Sequence, residues 1–455
     1  MVCCRILAQF LLDSVLSKMS GLKVLVAGAS IAGPATAYWL AKAGAKVTVI
    51  ERFPSIRIGG QAVDIRTAGV TVMRRMAGME ALVRAKSTQE EGISIVDDDG
   101  RPLGIIRATG NADQQSLLSE FEILRGDLAK ILFDLTKDDE NINYVFGEQI
   151  ASIRQDGEDG AEVEFANGMP ASKFDLVVAC DGATSRTRAI GLQCGVRDHI
   201  IPWNQWTAYF SIKQDLLEGS KIGYGHNAVG GRLTTINNDP AGFSRVMMMS
   251  IYPRSKPEAT VPFRQAAAQG DVALRQYIAA HFSDAGWFSE VVTKEMMSSD
   301  DFYASENVQV KLPSLYQGRF ALVGDAGHAS GPSGGGTSLA LAGGYVLAGE
   351  LSKHDGDVEA GLRAYDQTMT PIAREMQNIP PFLSAFAAPQ STRGIYYRNQ
   401  LFAFIAWTGI AEFLGKFGKY ISAAFGSTDD YPLYPYAFIN DPESQKPPQK
   451  AIYRL

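Results

Sequence analysis

Cysteine and histidine are scarce in this chain of 455 residues. It has four cysteines, Cys3, Cys4, Cys180 and Cys194, and five histidines. No C-x-x-C pair is present, which excludes a disulfide framework and suits a reducing compartment. The histidines show no H-x-H or H-E-x-x-H spacing, so no metal site is expected. A net charge of −6 without a long basic run argues against nucleic acid as a partner. The acidic run Asp97-Asp98-Asp99-Gly100 lacks the spaced oxygen ligands and closing glutamate of a calcium loop and reads as a solvated turn. Long apolar runs are missing too: the uncharged stretch from Asn399 to Ala411 is too short to span a bilayer. Residues 1–20 have a short apolar stretch but no signal-peptide pattern. They read as a dispensable extension with Met19 as an alternative start, and the whole reads as cytoplasmic.

What is present is ordinary globular composition, 46% apolar and 20% charged. The length suggests two intertwined domains. The strongest stretch is Leu22-Lys23-Val24-Leu25-Val26-Ala27-Gly28-Ala29-Ser30-Ile31-Ala32-Gly33. Its near-continuous apolar run predicts a parallel strand buried on both faces. A tight turn follows, then a helix over Ala35–Ala43, Gly44 as its stop, and a second strand, Val47 to Ile50, ending on Glu51. This βαβ unit has the chemistry of a dinucleotide site. Gly28 permits the turn, Gly33 lets helix and strand approach, and the helix N-terminus offers N–H groups to a pyrophosphate. Ser30 replaces the middle glycine. Glu51 stands where a ribose hydroxyl is bound, and an acid there favours FAD or NAD over NADP.

Further along, Gly59-Gly60 forms a loop able to lie against a planar ligand, and Val63–Ile65 alternates like a strand. Residues 67–86 read as one helix, with Thr67 as N-cap and Met73, Met76 and Leu82 on one face. Residues 91–107 read as short strands around the acidic turn. Glu122 to Leu135 reads as an amphipathic helix with Arg125 near its start. Residues 142–165 alternate as strands around the turn Asp156–Gly160. The stretch Asp175 to Gly182 is a second buried strand closing on Asp181-Gly182, where open α/β sheets place ligand contacts. Residues 203–252, with Trp203, Trp206, Tyr209, Phe210, Tyr224, Phe243 and Met247–Met249, predict a separate antiparallel sheet able to wall a substrate pocket. A helix is expected at 262–281.

The second strong signal is Gly318 to His328, a buried strand ending in Gly324-Asp325, followed by Pro332-Ser333-Gly334-Gly335-Gly336-Thr337. A helix over Leu339–Leu351 comes next. Its N-terminus can stabilise negative charge on a flat ring. Helical pattern runs on to Ile379 and breaks at Pro380-Pro381. A further apolar helix from Leu401 to Leu414, continued by Lys416, Lys419 and Tyr420, is expected to pack across the two domains. Contact with a membrane or partner is the less favoured reading. The last fifteen residues read as a loose tail.

These three motifs in this order resemble the flavin-dependent monooxygenases of the para-hydroxybenzoate hydroxylase fold, nearest to the branch of the tetracycline-inactivating monooxygenases. The resemblance covers about residues 22–380. It implies an α/β fold with a Rossmann-type FAD-binding domain interleaved with an antiparallel-sheet substrate domain, plus C-terminal helices. The expected division is an extension at 1–20, an FAD-binding domain at 21–195 and 300–380, a substrate domain at 196–299 joined by part of 60–110, and a C-terminal segment at 381–455.

Carried over by position, Gly28, Ser30, Ile31, Ala32 and Gly33 would face the FAD pyrophosphate, and Glu51 and Arg52 the adenosine side. Gly60, Asp64 and Arg125 would line the flavin site. Asp181, Gly182 and Arg188 would contact FAD and NAD(P)H. Gly324 and Asp325 would meet the ribityl chain, and Pro332, Gly334, Gly335, Gly336 and Thr337 the isoalloxazine. One departure is Leu341-Ala342-Gly343-Gly344, where many relatives have an Asp-Ala pair.

In such enzymes NAD(P)H reduces the flavin, O2 adds at C4a, and the hydroperoxide gives one oxygen atom to the substrate, here expected to be an aromatic or polyketide-like molecule. No triad is required. Arg232, His226 and Tyr209 are the candidates for a base. The alternatives are a flavin dehydrogenase or reductase, a flavin halogenase and a non-enzymatic FAD-fold binder. The halogenase motif W-x-W-x-I-P is not matched by Trp203-Asn204-Gln205-Trp206, and trapping an oxygenated product separates the monooxygenase from a dehydrogenase.

Overall fold

The structure, a computed structural model, describes residues 19, 21–57, 59–88, 90–107, 121–157, 160–239, 241–380, 382–409 and 432–436. The extension before Met19, the tip of the Asp156–Gly160 turn, Pro381, residues Lys416, Lys419 and Tyr420, and the last fifteen residues lie outside the described residues.

Two large sheets organise the chain. The first has six strands in the order Tyr316–Gln317, Phe320–Leu322, Leu176–Ala179, Lys23–Ala27, Lys46–Glu51, Ile142–Phe146. All its pairings are parallel except the hairpin at Tyr316–Gln317. After Lys23 the strand Lys23–Ala27 is apolar because both of its faces are covered. Val24 and Val26 point into the helical layer. Leu25 and Ala27 point into a second layer, formed with the three-stranded sheet Ile150–Gly157, Gly160–Phe165 and Ser172–Phe174. The helix Ala32–Lys42 packs on Gly336–Lys353 so closely that a Cβ at Gly344 would sit 2.8 Å from Thr36 Cα.

The second sheet has seven strands in the order Tyr303–Val310, Ile200–Ile212, Ser244–Ile251, Arg232–Asn238, Ile222–Ala228, Gly92–Val96, Pro102–Arg107. Side-chain alternation gives it two faces. Trp206, Phe210, Ile236 and Met248 form a core with the helices Val261–Ala268, Asp271–Phe282 and Ser289–Met296. Tyr209, Thr235, Met247 and Met249 occupy the alternate positions and are half-buried. That second face looks toward the cofactor layer. The Arg57 guanidinium lies 4.0 Å from the centre of the Tyr303 ring, and a Cβ on Gly59 would sit 3.3 Å from Asp301 Cβ.

Several elements differ from the sequence reading. The second sheet is mixed, because Ile222–Ala228 runs parallel to Gly92–Val96. The strand Tyr303–Val310, assigned by sequence to the FAD-binding domain, pairs with Ile200–Ile212 in this sheet. Residues 67–86 form two helices, Ala68–Arg75 and Met79–Lys86, because Gly78 takes φ +75° between them. The break turns Leu82 outward, while Met79 and Val83 are buried with Met73 and Met76. Thr67 makes no capping hydrogen bond. The expected helix 262–281 divides at Gly270, φ +108°. Glu122–Leu124 is a strand paired with Ala62–Asp64, so the helix begins at Arg125. The last described helix, Thr392–Thr408, packs on the second sheet. Ala406 lies against Gly104, and Arg398 Nη2 donates to Asn227 Oδ1 at 2.5 Å. The segment 432–436, within the C-terminal segment expected at 381–455, is anchored on the cofactor side, where Tyr436 Oη donates to Glu350 Oε1 at 2.8 Å.

Candidate active site

Three turns far apart in sequence meet at the N-terminal end of the helix Ala32–Lys42. Gly28, φ +110°, lies against the second motif, where a Cβ would stand 2.7 Å from Cys180 O and 3.1 Å from Asp181 Cα. A Cβ on Gly33 would fall 1.8 Å from Gly28 O, so no larger residue fits there. Gly324 of the third motif abuts Ala32, with a Cβ there 2.8 Å from Ala32 Cβ. Ile31 and Ala32 are buried behind this cradle.

Around it, Glu51 accepts from Ala29 N at 2.9 Å and Phe53 N at 3.1 Å. It braces the turn and remains half-buried at its mouth. Ser30 Oγ accepts from Arg125 Nη2 at 3.3 Å. The serine in the glycine position thus draws the arginine over the turn. Gly60 makes room for that arginine, since a Cβ there would lie 3.4 Å from Arg125 Cβ. Arg52 is exposed, 4.7 Å from the centre of the Phe53 ring.

Asp325 is the most telling side chain. It lies deep in the fold, where burial pushes its carboxyl above the usual range and Arg125 opposes the rise, yet its side chain is open to solvent. A group both deep and open lines a cleft. The helix Gly336–Lys353 starts beside it: a Cβ on Gly336 would be 3.5 Å from Asp325 Oδ1. A Cβ on Gly334 would be 3.7 Å from Asp64 Oδ2, which places the glycine loop between these two acids. Pro332 and Gly334 are exposed, Gly335 and Gly336 half-buried and Thr337 buried. The N-cap residue, Gly335, provides no side-chain cap, which leaves the first N–H groups of this helix available to a ligand. A narrow turn for a pyrophosphate, an acid for sugar hydroxyls and a positive helix end for a flat anionic ring fit FAD.

Other candidates do different work. Asp181 accepts from Ser185 Oγ and from Thr187 N at 3.1 Å, so it shapes its own turn, although its side chain stays exposed beside Gly182. Arg188, carried over as a cofactor contact, is fully buried. Its guanidinium donates to the carbonyls of Ala326, Ala183 and Val196 at 2.9–3.0 Å, tying the second motif to the third.

Arg232 and His226 are on the helix-facing side of the second sheet, away from the cleft. Arg232 pairs with Asp284 and donates to His281 O at 2.8 Å; His226 Nε2 lies 3.0 Å from Asp98 Oδ1. Tyr209 does face the cleft, where burial pushes its phenol up to about 12 and disfavours its ionisation.

A nucleotide cradle, a deep acid at a parallel strand's end and a glycine-led helix define a flavoprotein with an adjoining substrate sheet. Residues 21–378 match the family model described as "FAD binding domain", and the chain belongs to that family. It is 34% identical to Monooxygenase CTB7 of Cercospora beticola, covering 88% of this chain and 96% of that one. It is 35% identical to the FAD-dependent monooxygenase asL4 of Sarocladium schorii, covering 77% of this chain and 80% of that one. Among solved structures it is similar to the tetracycline destructase Tet(51), with a TM-score of 0.68 at 28% identity, covering 85% of this chain and 97% of that one. The chain is an FAD-dependent monooxygenase.

Proposed function

We propose that this enzyme binds FAD non-covalently in the cleft and uses NAD(P)H and O2 to place one oxygen atom on a hydroxylated aromatic or polyketide-like molecule. The observation that carries the reading is Asp325, open at the bottom of a cleft beside the start of the Gly336–Lys353 helix. FAD, when bound, supplies the electron transfer and oxygen activation. The chain's own residues bind, orient and exclude water. Arg125, Gly28 and Gly33 would hold the pyrophosphate, and Asp325 the ribityl hydroxyls. The half-buried Met247 and Met249 offer an apolar wall, and the protonated Tyr209 offers a hydrogen-bond donor. Kinship with a tetracycline destructase and with fungal monooxygenases favours an oxygenated multi-ring substrate. The test is NAD(P)H oxidation by the yellow holoprotein across a panel of polyphenols, with mass spectrometry of the products. The expected result is stimulated oxidation and a product heavier by one oxygen atom. A protein that holds no flavin under any condition would refute it.

A further inference from the structure

The helix Thr392–Thr408 holds a cation against the cleft face of the second sheet. Arg398 is 7% exposed, and its guanidinium meets only neutral oxygens. Nε donates to Asn399 Oδ1 at 3.0 Å and Nη2 to Asn227 Oδ1 at 2.5 Å. Nη1 has no hydrogen-bond partner among the described residues, and it is not sealed from solvent. Among those residues no carboxylate pairs with it, and burial, with no neighbouring charge to oppose it, lowers the group to about 10. Other arginines of this domain are compensated: Arg232 by Asp284, Arg245 by Asp239 and Asp301, Arg275 by Asp271. Burying a charge without a counter-charge is costly. What Arg398 lacks is a negative group.

Its position shows where such a group would come from. Asn227 alternates along its strand with His226, which faces the helices, so Asn227 is on the cleft side. Its cross-strand row runs through Leu233 and Met249 to Thr207. Asn227 is buried under the helix, whereas Leu233 and Met249 are half-buried. Arg398 therefore stands where the helical cover ends and the open part of the sheet begins. Two strand spacings, about 10 Å, separate Asn227 from Met249, a span that a multi-ring molecule covers. The Asn227 amide is itself fixed, because its Nδ2 donates to Ala387 O at 2.9 Å and Arg232 O at 3.3 Å, which leaves its oxygen for Arg398. A guanidinium held at two nitrogens with the third free is a preformed receptor for an oxygen anion.

We propose that Arg398 binds an anionic oxygen of the substrate, a carboxylate or an ionised enol, at the helix-covered end of the cleft, and so selects acidic multi-ring molecules. The inference rests on the flavin reading above. An incoming anion restores the missing counter-charge, and its hydrogen bond to Nη1 is charge-assisted from both sides. A neutral molecule of the same shape gains neither.

The test uses the FAD-loaded full chain and calorimetric titration with two matched pairs. One is 2-naphthoate against its methyl ester; the other is 2-hydroxy-1,4-naphthoquinone, an enol ionised at neutral pH, against its methyl ether. Native protein should bind at least one anion more tightly than the neutral twin. Arg398→Gln should bind that anion at least about tenfold more weakly, the scale of one lost hydrogen bond between charged groups, with the neutral twin unchanged. The pair that shows the loss tells carboxylate from enolate. Arg398→Met serves if Arg398→Gln does not fold, and failure of both to fold assigns the arginine to holding the helix and overturns the inference. Native protein that binds neither anion, a variant that binds the anion as well as native, or equal losses for anion and neutral twin overturns this inference alone. Native protein that cannot retain FAD overturns the flavin reading, and this inference with it.

Discussion

Ser30 occupies a position where a backbone glycine is expected, and its hydroxyl holds Arg125 over the nucleotide turn. The positive charge of that arginine opposes the rise that burial imposes on the Asp325 carboxyl. Replacing Asp325 with alanine removes an acceptor aimed at sugar hydroxyls, and FAD affinity should fall roughly ten- to a hundredfold, as measured by fluorescence titration of the apoprotein. Arg188→Leu should behave differently. It leaves the buried carbonyl of Ala326 and the more open carbonyls of Ala183 and Val196 without their donor, so the expected cost is about 1–3 kcal/mol of stability, visible as a lower melting temperature. Residue type and spacing were enough to single out Gly28, Gly33 and Asp325, because a tight turn and a strand end are local events. They could not say that Arg188 points into the protein, nor that Arg232 and His226 lie on the far side of their sheet. Facing depends on register, and a strand's two faces differ by a single residue.

At the scale of elements, the buried parallel strands were legible because double coverage removes every polar position except the end, as in Lys23–Ala27 and Leu176–Ala179. The helix breaks at Gly78 and Gly270 were not read, since an apolar stripe continues across each. The second sheet was seen as strands but not as a mixed sheet, because its parallel pair joins segments 130 residues apart, Gly92 with Ile222. The anchoring of segment 432–436, ahead of the expected loose tail, was not legible in the sequence. Its Tyr436 hydroxyl is a partner of a buried glutamate, Glu350, which also has Lys353 at 3.6 Å. Tyr436→Phe should therefore destabilise by about 1–2 kcal/mol, read as a lower urea midpoint with an unchanged slope.

For the molecule as a whole, the buried His328 and the half-buried His281 set an acid limit. Burial lowers His328 and His281 to about 4 from an ordinary 6.5, with Arg232 adding to the shift at His281. Both are neutral in the fold, and the unfolded chain takes up protons that the folded chain does not. Stability is full above pH 6.5 and is lost as pH falls toward about 4. Melting temperatures across that range should fall steadily, and His281→Gln should flatten the slope. No helix among the described residues is long and apolar enough to cross a membrane. The central claim, that three remote turns together cradle one flavin, is tested most directly by the visible absorption spectrum of the purified native protein beside that of Asp325→Ala. The account predicts a flavin spectrum in the native protein, released as free FAD on denaturation and strongly depleted in the variant. A colourless native protein that takes up no FAD, or a variant that retains it equally well, would contradict the account.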